Sequence, residues 1–142
     1  MISKITGEIH IGNVKIDSEF RKGDFLISSL CSQVVRHDND SYSRYALSPQ
    51  KIGDDLFAVA LFFDPDGRLT FVSLSILFDE KLPNWKNWSQ EEQLHKKRVH
   101  DDWLNKHLGL PPYDYWWGSV YSQYDPRSAT STITIKYHFR AL

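Results

Sequence analysis

Cysteine is almost absent from this sequence, which has Cys31 as its one example in 142 residues. A single cysteine excludes an intramolecular disulfide and any Cys-x-x-Cys metal site. Long apolar runs are missing too, since no segment approaches the ~20 apolar residues that span a bilayer. The first ten residues, MISKITGEIH, also lack the apolar stretch of a signal peptide. These absences predict a protein of the reducing cytoplasm.

An excess of one charge is missing as well, because 17 Lys and Arg face 18 Asp and Glu, for a net charge of −1. Nucleic-acid-binding surfaces usually carry a basic excess that displaces counterions from phosphates, so no direct nucleic-acid partner is predicted. The balance is uneven along the chain. Residues 37–66 hold six acids and two bases, which would suit either a basic partner or hydrated loops.

Signatures of common enzymes are not found. The seven glycines are scattered, so there is no phosphate-binding loop or dinucleotide fingerprint, and Ser119 is not in a G-x-S-x-G motif. No two of the six histidines stand four residues apart around a glutamate. The dipeptide His100-Asp101 is found in metal phosphohydrolases, but solvated or helix-capping histidine is the commoner reading. We therefore predict no metal, no cofactor and no enzymatic activity.

Aromatic residues, by contrast, are abundant at 14% of the chain. Six of them fall within residues 111–128, PPYDYWWGSVYSQYDPRS. Rings fill a core in few residues, but they are also enriched in protein interfaces and stacking platforms. If this segment is one continuous strand from Tyr115, then Tyr115 and Trp117 share one face. Trp116 and Tyr124 would share the other face and pack under a helix.

The clearest β pattern is a hairpin in the middle of the chain. Two apolar segments, LFAVALFF and LTFVSLSILF, flank the tetrapeptide DPDG at residues 64–67. Pro65 favours a type I turn, and Gly67 can take the left-handed conformation that closes the hairpin. The first segment is apolar on both faces, which predicts a central strand covered from two sides.

Further strands are predicted before and after this hairpin. A β segment with a turn or bulge at Gly12-Asn13 lies near the N-terminus, and strands are expected at residues 115–124 and 131–140. The last of these alternates apolar and polar residues, as half-buried antiparallel strands do. The pattern predicts one α+β domain over residues 1–142, with a twisted antiparallel sheet of about six strands.

Two helices are predicted to pack on this sheet. A short N-terminal helix would have Asp24 as its N-cap. A long helix begins with a capping box formed by Ser89 and Glu92, and it ends at Gly109 before two prolines. Its predicted buried face consists of Leu94, Val99, Trp103, Leu104 and Leu108.

Three segments in this order resemble a known class of proteins. They are LFAVALFFDPDGRLTFVSLSI, WKNWSQEEQLHKKRVHDDWLNKHLG and YWWGSVYSQYDPRSATSTITIKY, which include an H-x-x-W-L-x(3)-L-G helix, a W-G strand and a Y-D turn. From Leu56 onward the chain resembles bacterial immunity proteins of polymorphic toxin and contact-dependent growth inhibition systems. The resemblance implies a cytoplasmic protein that binds a cognate toxin domain and blocks its active site.

The resemblance also implies a protein-binding surface. Many such toxins are nucleases with basic substrate-binding surfaces, for which an acidic rim would speed and orient association. The expected contacts lie in the polar loop after residue 36, after the two prolines, and at the tip of the C-terminal hairpin. They are Asp38, Asp40, Tyr113, Asp114, Tyr115, Asp125 and Arg127.

Two other functions stay open. The aromatic strand could be a stacking platform for a small molecule or a peptide, and a packed sheet face under Trp116 and Trp117 would remove that platform. A metal-dependent hydrolase could use His100 and Asp101. That hypothesis fails if both side chains point to solvent with no other His or Asp nearby.

Overall fold

An antiparallel sheet of eight strands forms the frame of the computed structural model, which describes residues 2–78 and 88–138. The strands of the described chain are β1 Ile9–Ile11, β2 Val14–Ile16, β3 Val34–Asn39, β4 Ser43–Leu47, β5 Gln50–Ile52, β6 Asp55–Phe63, β7 Leu69–Ile76, β8 Tyr113–Tyr115, β9 Gly118–Asp125 and β10 Thr130–Tyr137. The main sheet has the order β3-β4-β6-β7-β10-β9-β8, with β5 also pairing with β6, while β1 and β2 form a separate hairpin. The α+β class is confirmed. The strand count exceeds the predicted six because three-residue strands such as β5 and β8 leave little periodicity in the sequence.

Two α-helices accompany the sheet, α1 at Lys22–Leu26 and α2 at Gln90–Leu108. A 3₁₀ helix covers Ser29–Gln33. The predicted N-cap of α2 is confirmed, because the Ser89 hydroxyl accepts the Glu92 backbone N–H at 3.1 Å, which is one of the two bonds of a capping box. The prediction for α1 is wrong in detail. Arg21 precedes the helix, and Asp24 lies three residues later, where its carboxylate accepts the Arg21 backbone N–H at 2.9 Å.

The predicted DPDG turn is confirmed. The N–H of Gly67 donates to the carbonyl oxygen of Asp64 at 2.9 Å, and Gly67 has a left-handed φ of 82°. The Asp64 side chain accepts the backbone N–H groups of Asp66 and Arg68, both at 2.9 Å. Aspartate is common at the first position of a turn because its side chain can accept the backbone N–H groups that follow. Gly12-Asn13 likewise joins β1 to β2, as predicted.

Strand β6 is central, as predicted, but it is fully buried on one face only. Phe57, Leu61 and Phe63 have no exposed surface, whereas Ala58 and Phe62 on the opposite face are half-buried. The second face carries small side chains across four strands, β4, β6, β7 and β10. We call it the small-residue face, and it includes Ala46, Ala58, Ala60, Ser73, Ser75 and Thr132.

The hydrophobic core lies on the other face of the sheet. There the ring of Phe25 in α1 lies 4.8 Å from that of Tyr45, and the ring of Trp103 in α2 lies 5.3 Å from that of Phe57. The β1–β2 hairpin and the 3₁₀ helix complete the cover with Ile9, Ile11, Ile16 and Leu30. No helix of the described chain is long and apolar enough to cross a membrane.

Helix α2 packs with a partly polar face. Its C-terminal half buries Trp103, Leu104 and Leu108, as predicted. In its N-terminal half Val99 is half-buried against the core, but the prediction is wrong for Leu94, which is 39% exposed. The buried positions there are Gln93, Lys96 and His100.

Candidate functional site

The seven residues expected to contact a partner lie at three separate places. Asp38 and Asp40 are on β3 and in the turn after it, at one edge of the sheet. Tyr113–Tyr115 form β8 at the opposite edge. Six inter-strand spacings of about 4.8 Å separate these edges, which is roughly 29 Å. Asp125 and Arg127 lie at the far end of β9. The structure therefore does not bring the seven together.

The acidic group at the first edge is largely compensated. Asp38 lies in strand β3 rather than in a loop, and its carboxylate is 3.0 Å from Nε of Arg36 and 3.4 Å from Nη1 of Arg44. Two guanidinium groups facing this carboxylate compensate its charge. Asp40 is exposed in the β3–β4 turn, where its backbone N–H donates to the carbonyl oxygen of Tyr42 at 3.1 Å.

The three residues of β8 differ in availability. Tyr113 is buried, and its hydroxyl donates to the carbonyl oxygen of Gly109 at 2.9 Å. Tyr115 is half-buried and stacks on Trp117 at a ring distance of 5.1 Å. Burial raises the pKa of the Tyr115 phenol, and the neighbouring Asp114 carboxylate raises it further. Only Asp114 is well exposed. Tyr113 is therefore a core residue, while Asp114 faces solvent.

The two tryptophans form a hairpin turn, which the sequence did not reveal. Tyr115 pairs with Gly118, so Trp116 and Trp117 are the two residues between β8 and β9. The expected faces are therefore wrong: Trp117 is buried and Trp116 is 52% exposed. The indole N–H of Trp117 donates to the carbonyl oxygen of Lys4 at 2.9 Å, and that of Trp116 donates to the carbonyl oxygen of Ile5 at 2.6 Å. Both indoles fasten the N-terminal segment, and no alternating platform of rings is formed.

The C-terminal hairpin tip is organised by its own aspartate. The carboxylate of Asp125 accepts the backbone N–H of Arg127 at 2.9 Å. Asp125 is half-buried and Arg127 is exposed. Seven residue steps of about 3.4 Å place this tip roughly 24 Å along β9 from Gly118.

A groove of about 610 Å³ runs between α2 and the β8–β9 hairpin. Its described lining includes Lys97, Asp101, Asp102 and Asp114. Lys97 and Asp101 form an ion pair at 2.7 Å, one helical turn apart. Asp102 and Asp114 are exposed and form no ion pair within residues 2–78 and 88–138. Three carboxylates against one ammonium group make the groove acidic.

The floor of this groove is a strand edge without a neighbour. The N–H of His138 donates to the carbonyl oxygen of Trp117 at 2.8 Å, and alternate residues of an antiparallel strand direct their backbone groups to the same side. Counting along the register from this bond, Tyr121 faces β10, whereas Ser122 and Tyr124 direct their N–H and C=O groups away from it. On that side β8 pairs only with Gly118, Ser119 and Val120. In the described chain, no strand pairs with residues 121–125 there. The Ser122 hydroxyl is also buried without a hydrogen-bond partner.

A second cleft, of about 460 Å³, lies on the small-residue face. Its lining includes small side chains of β6, β7 and β10 together with Arg36, Arg44 and the buried Lys96. The described lining contains these three cations and no carboxylate. Arg36 and Arg44 are both paired with Asp38, which offsets part of their charge.

The prediction of a solvated or helix-capping His100 is wrong, because its side chain is fully buried. Its Nε2 accepts the backbone N–H of Ile76 at 2.9 Å. Burial lowers the pKa of the imidazole to about 4, and Lys96 adds to the effect while Asp101 opposes it. Asp101 itself is exposed and paired with Lys97. Among the described residues, no three His, Cys, Asp or Glu side chains are grouped to hold a metal ion. His100 here acts as a neutral acceptor for the end of β7.

No protein-family model matches the chain, and no curated protein matches it in sequence. A chain of the solved structure described as "Rhs1-CT in complex with cognate immunity protein RhsI1" has a similar fold. The TM-score is 0.61 at 14% sequence identity, and the match covers 96% of this chain and 86% of that chain. At this identity the likeness establishes a shared fold, while function has to be argued from the surface.

Proposed function

We propose that this chain is an immunity protein of a polymorphic toxin system, which binds a cognate toxin domain and blocks its active site. The observation that carries the proposal is the fold it shares with a chain of the Rhs1-CT complex with RhsI1, across 96% of its length. The sequence from Leu56 onward resembles immunity proteins, which favours the inhibitor role over the toxin role. The protein would act in the cytoplasm, on toxin delivered by a neighbouring cell, without a cofactor.

The contact surface that we propose is the acidic side of the molecule around β8 and α2. Asp114 and Tyr115 lie there, beside the groove that also exposes Asp102. An acidic surface attracts the basic substrate-binding surface of a nuclease and increases the association rate. Asp125 and Arg127 lie at the end of the same strand edge and would extend the contact. Tyr113 would contribute by supporting β8 from the core.

The opposite edge makes a weaker case as a contact. Asp38 is paired with two arginines, and Asp40 lies roughly 29 Å from β8 across the sheet. A standard protein interface buries about 800 Å² on each partner, a patch of roughly 30 Å across. A contact centred on Asp114 would therefore reach about 15 Å and stop well short of this edge. Asp40 is consequently suited to serve as a control position.

Co-expression with the toxin encoded by the neighbouring gene tests the proposed function. Cells that produce both proteins should grow, cells that produce the toxin alone should stop, and the purified proteins should form a stable complex. If the two proteins neither bind nor rescue growth, the proposal is wrong. If this chain alone arrests growth, it is the toxin of the pair rather than the inhibitor.

A second candidate function is suggested by the cleft on the small-residue face. The arginines Arg36 and Arg44 in its lining and its volume of about 460 Å³ suit a small anionic ligand. This version of a binding module does not use the aromatic strand, since Trp117 is buried. Thermal unfolding with inorganic phosphate or citrate would test it. A stabilisation that disappears in R36Q/R44Q would favour this function.

A further inference from the structure

We propose that the free edge of β9, residues 121–125, accepts an extended basic strand of the toxin domain, which adds to the sheet beside β9. The inference rests on the proposed function and specifies how the partner is held. The added strand would run antiparallel to β9 and continue the line of β8, which leaves the sheet at Tyr113.

The backbone of β9 supplies the first reason. Ser122 and Tyr124 direct N–H and C=O groups away from β10, and Ser122 lines the groove beside α2. A row of unpaired groups at a sheet edge is a template for another strand, and main-chain hydrogen bonds supply affinity in such complexes. The Ser122 hydroxyl, which has no partner, lies at the centre of this edge.

The other edge of the sheet is protected in ways that this one is not. Strand β3 contains a register shift between Val34 and Arg36, and it carries the charged side chains of Arg36 and Asp38. Bulges and charges are the usual features that prevent an edge from pairing. Residues 121–125, YSQYD, contain no proline and carry a charge only at Asp125, the last position, and their register with β10 is unbroken. The edge that lacks protection is the one that lies in a groove.

The walls of the groove determine the chemistry of the added strand. Asp101, Asp102 and Asp114 face a single cation, Lys97, with which Asp101 is already paired. Side chains of an extended strand alternate in direction, so every second residue of the partner would point towards α2. Lysine or arginine at those positions would meet Asp102 and Asp114. An acidic or purely apolar strand would leave these carboxylates uncompensated.

Amide hydrogen exchange provides the direct test, with the toxin domain encoded by the neighbouring gene as the probe. In the complex, exchange at Ser122 and Tyr124 should slow by at least about tenfold, the effect of one added hydrogen bond of about 1.4 kcal/mol. The amides of β3 should keep their rates. If the complex forms and the Ser122 and Tyr124 amides exchange as in the free protein, the inference is wrong. If no complex forms, the proposed function fails first.

Proline substitution tests the same hydrogen bonds independently. S122P removes an N–H that points away from β10, a position at which edge strands tolerate proline, and should weaken toxin binding by about tenfold or more. S122A is the matched control, because it keeps the N–H and loses only the hydroxyl, and should bind much closer to the unmodified protein. Y124P repeats the test if S122P does not fold. Folded proline variants that bind like the unmodified protein would overturn the inference.

Charge is tested with two double variants that change net charge equally. D102N/D114N neutralises the groove, whereas D40N/D54N neutralises two exposed acids outside it. The first pair should slow association several-fold at low salt and reduce its salt dependence, since steering depends on local potential. The second pair should have little effect. Equal losses from both pairs would show that total charge, rather than a basic strand in the groove, determines binding.

Discussion

His100 shows at the scale of one residue how a titratable group can be structural. Its Nε2 accepts the Ile76 N–H, which would otherwise be unpaired in the core, so the imidazole has to be neutral for the bond to form. Its Nδ1 has no hydrogen-bond partner. The two rival roles, solvated side chain and metal ligand, were both plausible from the sequence, because the partner on β7 is 24 residues away.

Acid should destabilise the protein through this residue. The folded pKa of about 4 lies below the ordinary value of 6.5, so the unfolded chain binds more protons between these values. The contribution of His100 is therefore fully present above pH 6.5 and is lost as the pH falls towards 4. We expect a loss of about 2 kcal/mol between pH 7 and pH 5. Urea unfolding at the two pH values measures it, and H100Q should remove most of the difference while H10Q should not.

Gly7 is a second residue whose role depends on a distant contact. It has a left-handed φ of 73°, and a Cβ atom there would collide with the indole ring of Trp117. G7A should therefore destabilise the protein by about 3 kcal/mol or more, the combined cost of backbone strain and overpacking. Gly53 has a similar φ of 64° with nothing within 4 Å, so G53A should show the strain alone, about 1–2 kcal/mol. Equal losses in chemical denaturation would mean that the ring moves aside.

At the scale of elements, helix α2 begins and ends where the sequence predicts, but its N-terminal half buries a different face from the predicted one. Its cap, length and C-terminal half follow from capping chemistry and periodicity. Its N-terminal half does not, because it packs against the start of β10, where backbone groups need partners. Gln93 Oε1 accepts the Ser131 N–H at 3.0 Å, and the Ser131 hydroxyl donates to the Gln93 carbonyl oxygen. A polar residue is buried there because the adjoining strand end is polar.

Replacing that glutamine with an apolar residue should be harmful, although hydrophobicity alone would predict a gain. Q93L leaves the buried Ser131 N–H without an acceptor, at a cost of about 1–3 kcal/mol. The adjacent exchange L94Q places a polar side chain at a site that is 39% exposed, and it should change stability by less than about 0.5 kcal/mol. Thermal and urea unfolding of both variants would check the order. A more stable Q93L would contradict it.

The β8–β9 hairpin is the element that the sequence could not predict. A three-residue strand has no detectable period, and two tryptophans are an uncommon hairpin turn. Gly118 has a φ of 156°, and a Cβ there would collide with the Lys136 carbonyl oxygen, a contact that no local pattern shows. Reading the segment as one strand exchanged the faces of Trp116 and Trp117. The same assumption concealed the free edge of β9, because Ser122 is unpaired on that side only if β8 is a short strand that pairs no further than Val120.

At the scale of the whole molecule, the fold class, the central hairpin and the long helix could be predicted, since each rests on local periodicity or turn chemistry. The partner surface could not be assembled, because neighbours in the sheet are remote in sequence. Asp38 and Asp114 were grouped as acids, yet they lie at opposite edges, and the first is paired with Arg36 and Arg44. Charge in a sequence therefore predicts which groups a surface contains better than it predicts where on the molecule they lie.

The prediction of one domain over residues 1–142 has a direct thermal test. The N-terminal segment is bonded to the distant hairpin through both indoles, and the Tyr137 hydroxyl donates to the Gly7 carbonyl oxygen at 2.7 Å. We therefore expect a single calorimetric transition whose van't Hoff and calorimetric enthalpies agree. Hydrogen exchange should show β1–β2 opening together with β9–β10. Two separate transitions would contradict the prediction.

The position of β10 has a consequence for synthesis of the protein. Although it is the last described strand in the sequence, it lies between β7 and β9 in the interior of the sheet. A ribosome that adds about 5–20 residues per second therefore has to complete residues 130–137 before the two halves of the sheet can join. Until then β7 is an exposed edge, and the β8–β9 hairpin that lines the groove has no neighbouring strand to pair with. A nascent chain would be unable to bind a partner, and a prematurely ended one would be recognised as unfolded and degraded.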